Sequence, residues 1–220
     1  MRRTYTVRSV DRDARTLAID FVVHGDEGVA GPWAGAASAG DRLTFSGPGG
    51  QYAPSDEDVE YLFVGDESAL PAIAAALEAL PEAAYGRALI EVGGPDGQIP
   101  VTAPAGVEVT WLHRVGGDGA AAADYGVPLV EAVAALPRPT GPVDVFAHGE
   151  REAMKKLRGI FHEEWGMERR ALSLSAYWAR GGPRIAFRRR SGSRSARSST
   201  REVTSTGAGV KGVVAVPRAT

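Results

Sequence analysis

Arg3, Tyr5 and Thr6 stand close together at the head of the chain, in the run Arg3-Thr4-Tyr5-Thr6. On a strand, side chains alternate between faces, so Arg3 and Tyr5 share one face and Thr6 lies opposite but adjacent. A guanidinium can grip a pyrophosphate with two parallel hydrogen bonds. A phenol ring can lie against a flat heterocycle while its hydroxyl finds a polar partner. A threonine hydroxyl can bond a phosphate or the polar edge of such a heterocycle. An ordinary edge strand also carries exposed Arg and Tyr, so these residues alone do not decide. A second cluster follows, Asp20-Phe21-Val22-Val23-His24-Gly25, then a small-residue stretch from Gly28 through Ala30 and Trp33 to Ala34. Small residues leading into a helix can present backbone N–H groups to an anion. Trp33 equally fits a packing role, and His24 a surface one.

The elements that must position these groups are legible in the periodicity. Tyr5–Val10 and Leu17–His24 read as strands joined by a turn at Asp11–Arg15. Gly28–Gly40 reads as a loop and a short helix. Asp41–Ser46 reads as a strand, ended by the turn Gly47-Pro48-Gly49-Gly50. Residues 54–58 read as a linker. The pattern then changes. Tyr61-Leu62-Phe63-Val64 is the continuous apolar run of a strand buried on both faces. Gly65-Asp66-Glu67-Ser68 follows, and Ala69, Ile73, Ala76, Leu77 and Leu80 recur at helical spacing, with Ser68 or Asp66 as cap. Strands over 88–92, 107–112, 143–147 and 171–178 alternate with helices over 127–136 and 150–165. That alternation predicts an open, largely parallel sheet. In the last helix Met154, Leu157, Phe161 and Trp165 form one stripe, and Gly166 ends it.

Composition narrows the chemistry. The chain has 220 residues and no cysteine, which excludes disulfides, thiolate zinc sites, iron–sulfur ligation and a cysteine nucleophile. No metal site is expected, and redox work would need an organic cofactor. No apolar run reaches the roughly 20 residues of a membrane helix, and the start lacks a secretory signal, so a cytoplasmic protein is expected. The net charge of −2 is uneven. Nine of the 25 Lys and Arg, but only the acid Glu202, lie beyond Gly182. The body is therefore acidic, against a nucleic-acid-binding role.

Several motifs occur in order: Arg3-x-Tyr5-Thr6-x-Arg8, Asp20-Phe21-Val22-x-His24-Gly25, Gly28-x-Ala30-x-x-Trp33-Ala34, Gly40-Asp41-x-Leu43 and Gly47-Pro48-x-Gly50. The run Tyr61–Ala72 comes next, then Trp111-Leu112-His113-Arg114, His148-Gly149-Glu150 and Tyr177-Trp178-Ala179-Arg180-Gly181. Together, from about Arg3 to Gly182, they resemble the siderophore-interacting protein family, flavin-containing relatives of the ferredoxin reductases. The resemblance implies a mixed fold: a partial Greek-key flavin-binding β-barrel over 1–53, then a Rossmann-like open parallel-sheet lobe for a nicotinamide nucleotide over 60–182. Residues 183–220 would be a basic Ser/Arg-rich tail, expected to be disordered. The resemblance also implies an oxidoreductase that uses FAD and NADPH or NADH to reduce a ferric siderophore.

On that resemblance Arg3, Tyr5, Thr6, His24, Gly28, Ala30, Trp33 and Ala34 contact FAD, and Tyr177 and Trp178 lie near the flavin. Gly65, Asp66, Glu67, Ser68 and Ala69 face the nicotinamide side, with Gly149 and Glu150 at the end of a later strand. Arg114 and Arg180 are the candidate cations for an anionic ferric siderophore, and no residue is assigned a catalytic role. A monomer is expected. There is no GxGxxG, so the choice of donor stays open. Members of the family usually begin some tens of residues earlier, so an incomplete, N-terminally truncated barrel is expected. Val29, Ala176 and Ala179 depart from the family pattern, and the tail differs from the usual Trp-containing charged helix, as a frameshift or mispredicted gene end would produce. The alternative reading is a degenerate member that folds in its C-terminal lobe and does not hold FAD.

Overall fold

The computed structural model describes residues 4–22, 29–45, 49–50, 52–114, 123–180, 199–202 and 210–211. The chain divides into two units, 1–51 with 186–220, and 52–185.

In the second unit the doubly apolar run becomes β5 (Glu60–Asp66), the middle of a five-stranded sheet. Its neighbours are β6 (Tyr85–Val92) and β8 (Val143–Glu150), with β7 (Gly106–His113) and β9 (Leu172–Trp178) outside them. All four pairings are parallel, and the order is β7-β6-β5-β8-β9. Helices α2 (Leu70–Ala79), α3 (Val127–Ala134) and α4 (Arg151–Gly159) cover it. Alternation along the strands sorts the core into two layers. Tyr61, Phe63, Ala88, Ile90 and Phe146 pack with Leu70, Ile73 and Leu77 of α2. Leu62, Val64, Leu89, Val145 and Ala147 pack with Leu129 and Val133 of α3 and Met154 and Leu157 of α4. This is the predicted open parallel sheet.

Two details set its register. At the start of β6, Gly86 has φ +147, and a Cβ there would collide with the Tyr61 carbonyl oxygen. Gly86 is also the register partner of Tyr61, so only glycine lets the strands meet here. The helix predicted over 150–165 is not uniform. Beyond Gly159 it widens into a π-type turn, Ile160–Glu164, closed by Trp165 N–H donating to Ile160 O at 2.9 Å. Phe161 and Trp165 are both buried, so the wider turn keeps the predicted apolar stripe on the core.

The first unit is antiparallel. β1 (Val7–Asp11) pairs with β2 (Thr16–Ile19), the predicted hairpin. The strand predicted over 17–24 breaks at Asp20, and its second part, β3 (Phe21–Val22), pairs with β11 (Val210–Lys211). β4 (Arg42–Phe45) pairs with β10 (Ser199–Glu202). Among the described residues these are three two-stranded pairs. Two of them recruit short strands from the stretch that the sequence reads as a disordered tail. Helix α1 (Ala30–Ala36) packs Ala34 beside Ile19 and Phe21.

Candidate functional site

The strand order reverses direction at β5: β6 and β7 lie to one side of it, β8 and β9 to the other. In open α/β sheets ligands bind at the carboxyl ends of the strands at such a switch point. Here β5 ends on Asp66 and β8 on His148-Gly149-Glu150.

Asp66 is 2% exposed and fully bonded. One carboxylate oxygen accepts from Ser68 N–H at 2.9 Å and Ser68 Oγ at 2.5 Å. The other accepts from the Trp178 indole N–H at 2.7 Å. Since Trp178 is on β9, this carboxylate reaches past β8. Gly149 makes that possible: with φ +156, a Cβ on it would stand 2.7 Å from Asp66 Oδ2. Burial pushes the Asp66 carboxyl up to about 6, against the hydrogen bonds from Ser68 and Trp178, while the charge of Glu67 adds to the rise.

On the other face of β8, His148 is wedged between Phe146 (ring centroids 4.1 Å apart) and Tyr177 (4.7 Å). Its Nε2 shares a hydrogen bond with Ser173 Oγ at 3.0 Å, and its Nδ1 is buried with no partner among the described residues. Burial lowers its pKa to about 4, so the imidazole is neutral at physiological pH. Burial, aided by the charge of Asp66, pushes the Tyr177 phenol up to about 12.

A side-chain chain runs from here around the sheet's end. The Trp178 ring meets Tyr125 edge-on at 4.9 Å. Tyr125 lies under the Arg114 guanidinium, 4.1 Å from its centroid. Arg114 pairs with Glu67 through both terminal nitrogens and with Glu91 at 3.0 Å. Glu91, fully buried on β6, also accepts from Gly126 N–H at 2.9 Å at the start of α3. Burial opposes the charge of Arg114, but its two carboxylate partners more than offset this and hold it protonated.

Individual sequence assignments fare differently. Arg114 is 8% exposed and already matched by two carboxylates, so it orders the rim of the site. Glu150 caps α4: Oε2 accepts from Glu152 and Ala153 N–H at 2.6 and 3.1 Å, and Oε1 from Arg180 N–H at 3.3 Å. Within Gly65–Ala69, Asp66 and Ser68 bond to each other, Glu67 holds Arg114, and Ala69 is fully buried against Gly65. Arg180 is exposed, paired with the exposed Asp124 at 2.5 Å, and such a surface pair is readily exchanged. Glu91 and Tyr125 were not singled out by sequence. The signal was there for Glu91, whose charge interrupts the buried run Ala88-Leu89-Ile90 and so demands a partner.

In the first unit Tyr5 is 39% exposed, its ring 4.6 Å from that of Phe21, which in turn meets Trp33 edge-on at 5.9 Å. Thr6, Ala30 and Trp33 are half-buried, whereas Ala34 is buried in the local core. Arg3, His24 and Gly28 lie outside the described residues. No group of three or more His, Asp or Glu among the described residues could hold a metal ion.

The second unit is thus a doubly wound α/β lobe with an acid, an indole and a neutral imidazole gathered at its switch point. The sequence also matches two family models: "Siderophore-interacting protein" over 59–181 and "Siderophore-interacting FAD-binding domain" over 1–52. The chain belongs to the siderophore-interacting protein family. It is 50% identical over 192 residues to an uncharacterised protein of Mycobacterium tuberculosis, covering 85% of this chain and 68% of that one. To the ferric vibriobactin reductase ViuB of Vibrio cholerae it is 34% identical, covering 81% of this chain and 65% of that protein. To the NADPH-dependent ferric-chelate reductase of Escherichia coli it is 32% identical, covering 74% and 60%. A siderophore utilization protein from T. fusca superposes with a TM-score of 0.73 at 41% identity, covering 84% of this chain and 68% of that one.

Proposed function

We propose that this chain is a flavin-dependent reductase of ferric siderophores that takes its electrons from NADH or NADPH in the cytoplasm. The observation that carries the reading is that the FAD-binding and siderophore-interacting family models meet, in order, on the two units of one chain. The reductase names of ViuB and the ferric-chelate reductase agree with it. Among the described residues no helix is long and apolar enough to cross a membrane.

The residues fit the cofactor chemistry. The half-exposed Tyr5 ring, backed by Phe21 and Trp33, offers a firm aromatic surface for a flat heterocycle. Thr6 and the small residue Ala30 would contact the flavin nucleotide with Arg3, His24 and Gly28. FAD, when bound, supplies the exchange of one hydride for two single electrons, so that one NAD(P)H reduces two ferric ions. The protein's share is position and charge. Tyr177 is backed by His148 and Trp178 is held by Asp66, which limits the motion of each ring; on this reading they are the rings that would lie near the flavin. Arg180 is the cation for an anionic ferric chelate, since its surface pairing leaves it exchangeable. Oxygen-donor chelators hold Fe(III) far more tightly than Fe(II), so reduction releases the iron.

An absorbance spectrum tests this directly. The purified chain, with FAD added, is expected to show a flavin band that bleaches with NADH or NADPH and recovers with a ferric chelate. A colourless protein that takes up no added FAD refutes the reading and favours a family member that has lost its cofactor.

A further inference from the structure

The chain has no cysteine to surrender an electron to an oxidant. Tryptophan and tyrosine can do so instead, and two of them are arranged for it within the second unit. Half-buried Trp178, the last residue of β9, donates its indole N–H to Asp66 Oδ2 at 2.7 Å. Its ring and that of Tyr125 meet edge to face, centroids 4.9 Å apart, so the two π systems touch. Tyr125 is 42% exposed, yet its ring is clamped between Trp178 and the Arg114 guanidinium, 4.1 Å from its centroid. Arg114 by itself would oppose removal of an electron from that ring. Glu67 and Glu91 bind it, however, setting two negative charges against its one positive charge. Packing alone calls for the ring contact. It does not call for a buried base on the indole N–H at one end and an exposed phenol at the other.

We propose that Trp178 and Tyr125 form an electron relay that carries an oxidising equivalent from the switch point to the protein surface. The use of the relay rests on the reductase reading: released Fe(II), with peroxide in water that contains bicarbonate, generates the carbonate radical, a one-electron oxidant. This radical takes one electron from the Trp178 indole and becomes carbonate, and the indole proton passes along the existing hydrogen bond to Asp66. Burial raises the Asp66 carboxyl to about 6, so it is a stronger base than an ordinary carboxylate and is still ionised at neutral pH. Tyr125 then gives one electron to the Trp178 radical, which takes its proton back from Asp66, while the phenol proton of Tyr125 leaves to water. A soluble thiol donates a hydrogen atom to the Tyr125 oxygen, which restores the phenol and leaves a thiyl radical. The net change is one carbonate radical reduced, one thiol oxidised and one proton released, with Trp178, Tyr125 and Asp66 returned to their starting state.

Pulse radiolysis of the full chain, without flavin or nicotinamide, tests the relay with azide radicals as the one-electron oxidant. In the wild type the absorbance of tryptophanyl radicals is expected to fall as that of tyrosyl radicals rises, in a first-order phase whose rate is independent of protein concentration. Tyr125→Phe keeps the ring and its contacts and removes only the hydroxyl at an exposed position, so the fold is retained. It is expected to lose the fastest such phase. Tyr85→Phe, at a tyrosine of similar exposure (45%) at the start of β6, is expected to keep it. After a dose of carbonate radicals, peptide mass spectrometry is expected to find more oxidised Trp178 in Tyr125→Phe than in the wild type. A fastest phase that survives Tyr125→Phe, or equal oxidation of Trp178 in the two proteins, overturns the proposal. Because the measurement uses no flavin, that failure is distinct from a failure to take up FAD, which refutes the reductase reading and leaves the radical transfer standing.

Discussion

Gly149→Ala is the substitution to which the switch point is most sensitive. The new Cβ would stand 2.7 Å from Asp66 Oδ2 and 2.9 Å from its Cγ, closer than real Cβ contacts come, at a backbone φ of +156. The carboxylate must swing away, and the direction it vacates is the one that reaches Trp178 at 2.7 Å. Loss of a hydrogen bond to a buried charge costs about 1.5–3 kcal/mol. Holding a non-glycine residue in that conformation costs about 1–3 kcal/mol more. The α/β unit should therefore lose about 3–5 kcal/mol, read from urea unfolding followed by tryptophan fluorescence. Trp178→Phe removes the same hydrogen bond from the other end. If the added methyl acts through the displaced carboxylate, the double variant should be less destabilised than the sum of the singles by about 1–2 kcal/mol. Gly94→Ala is the control: it has φ −173 and nothing within 4 Å of a Cβ, so its effect should be within about 0.5 kcal/mol. A cost below about 1 kcal/mol for Gly149→Ala, or additivity with Trp178→Phe, would refute the reasoning.

Asp66 and His148 should impose opposite pH slopes. The carboxyl, raised to about 6, makes the folded state take up a proton, so its contribution weakens stability as pH rises from about 4 to 6, by about 3 kcal/mol. The imidazole, lowered to about 4, favours the neutral folded form, so its contribution is present above about 6.5 and is lost, by a similar amount, as pH falls toward 4. Relative to wild type, Asp66→Asn should thus lose stability on acidification and His148→Leu should gain it. Equal slopes for all three proteins in denaturant melts between pH 4 and 7 would contradict both assignments. Arg114→Met strands the buried Glu91 and should cost about 3–5 kcal/mol by the same melts, where an unchanged midpoint would remove its rim-ordering role. Glu150→Ala uncaps α4 and should cost about 1–2 kcal/mol, with loss of amide-exchange protection at Glu152 and Ala153.

Much of the second unit was readable in the sequence because its signals are local. Tyr61–Val64 is too continuously apolar for anything but a doubly covered strand, and the stripe through Met154, Leu157, Phe161 and Trp165 can only face a core. What could not be read is what joins residues far apart. The sequence identifies Arg114 as a cation at a strand end but does not say that Glu67 and Glu91 converge on it. Glu150 suits a helix start in sequence, but that one oxygen caps α4 while the other accepts from Arg180 N–H could not be read. Gly149 is one small residue among many until Asp66 is found lying over it. In the first unit the hairpin was legible from alternation and its turn. The pairing of β3 and β4 with β11 and β10 was not, since four- and two-residue partners more than 150 positions away leave no periodicity to detect.

The close passage of Gly86 over the Tyr61 carbonyl lies at the opposite pole of the sheet from Asp66, His148 and Arg114. Strand alignment is thus decided at the foot, by bare backbone that no pH or ionic strength can alter. Acids, bases and rings at the top can be exchanged one by one in the course of evolution, changing what the lobe admits, while the strands beneath them stay in step.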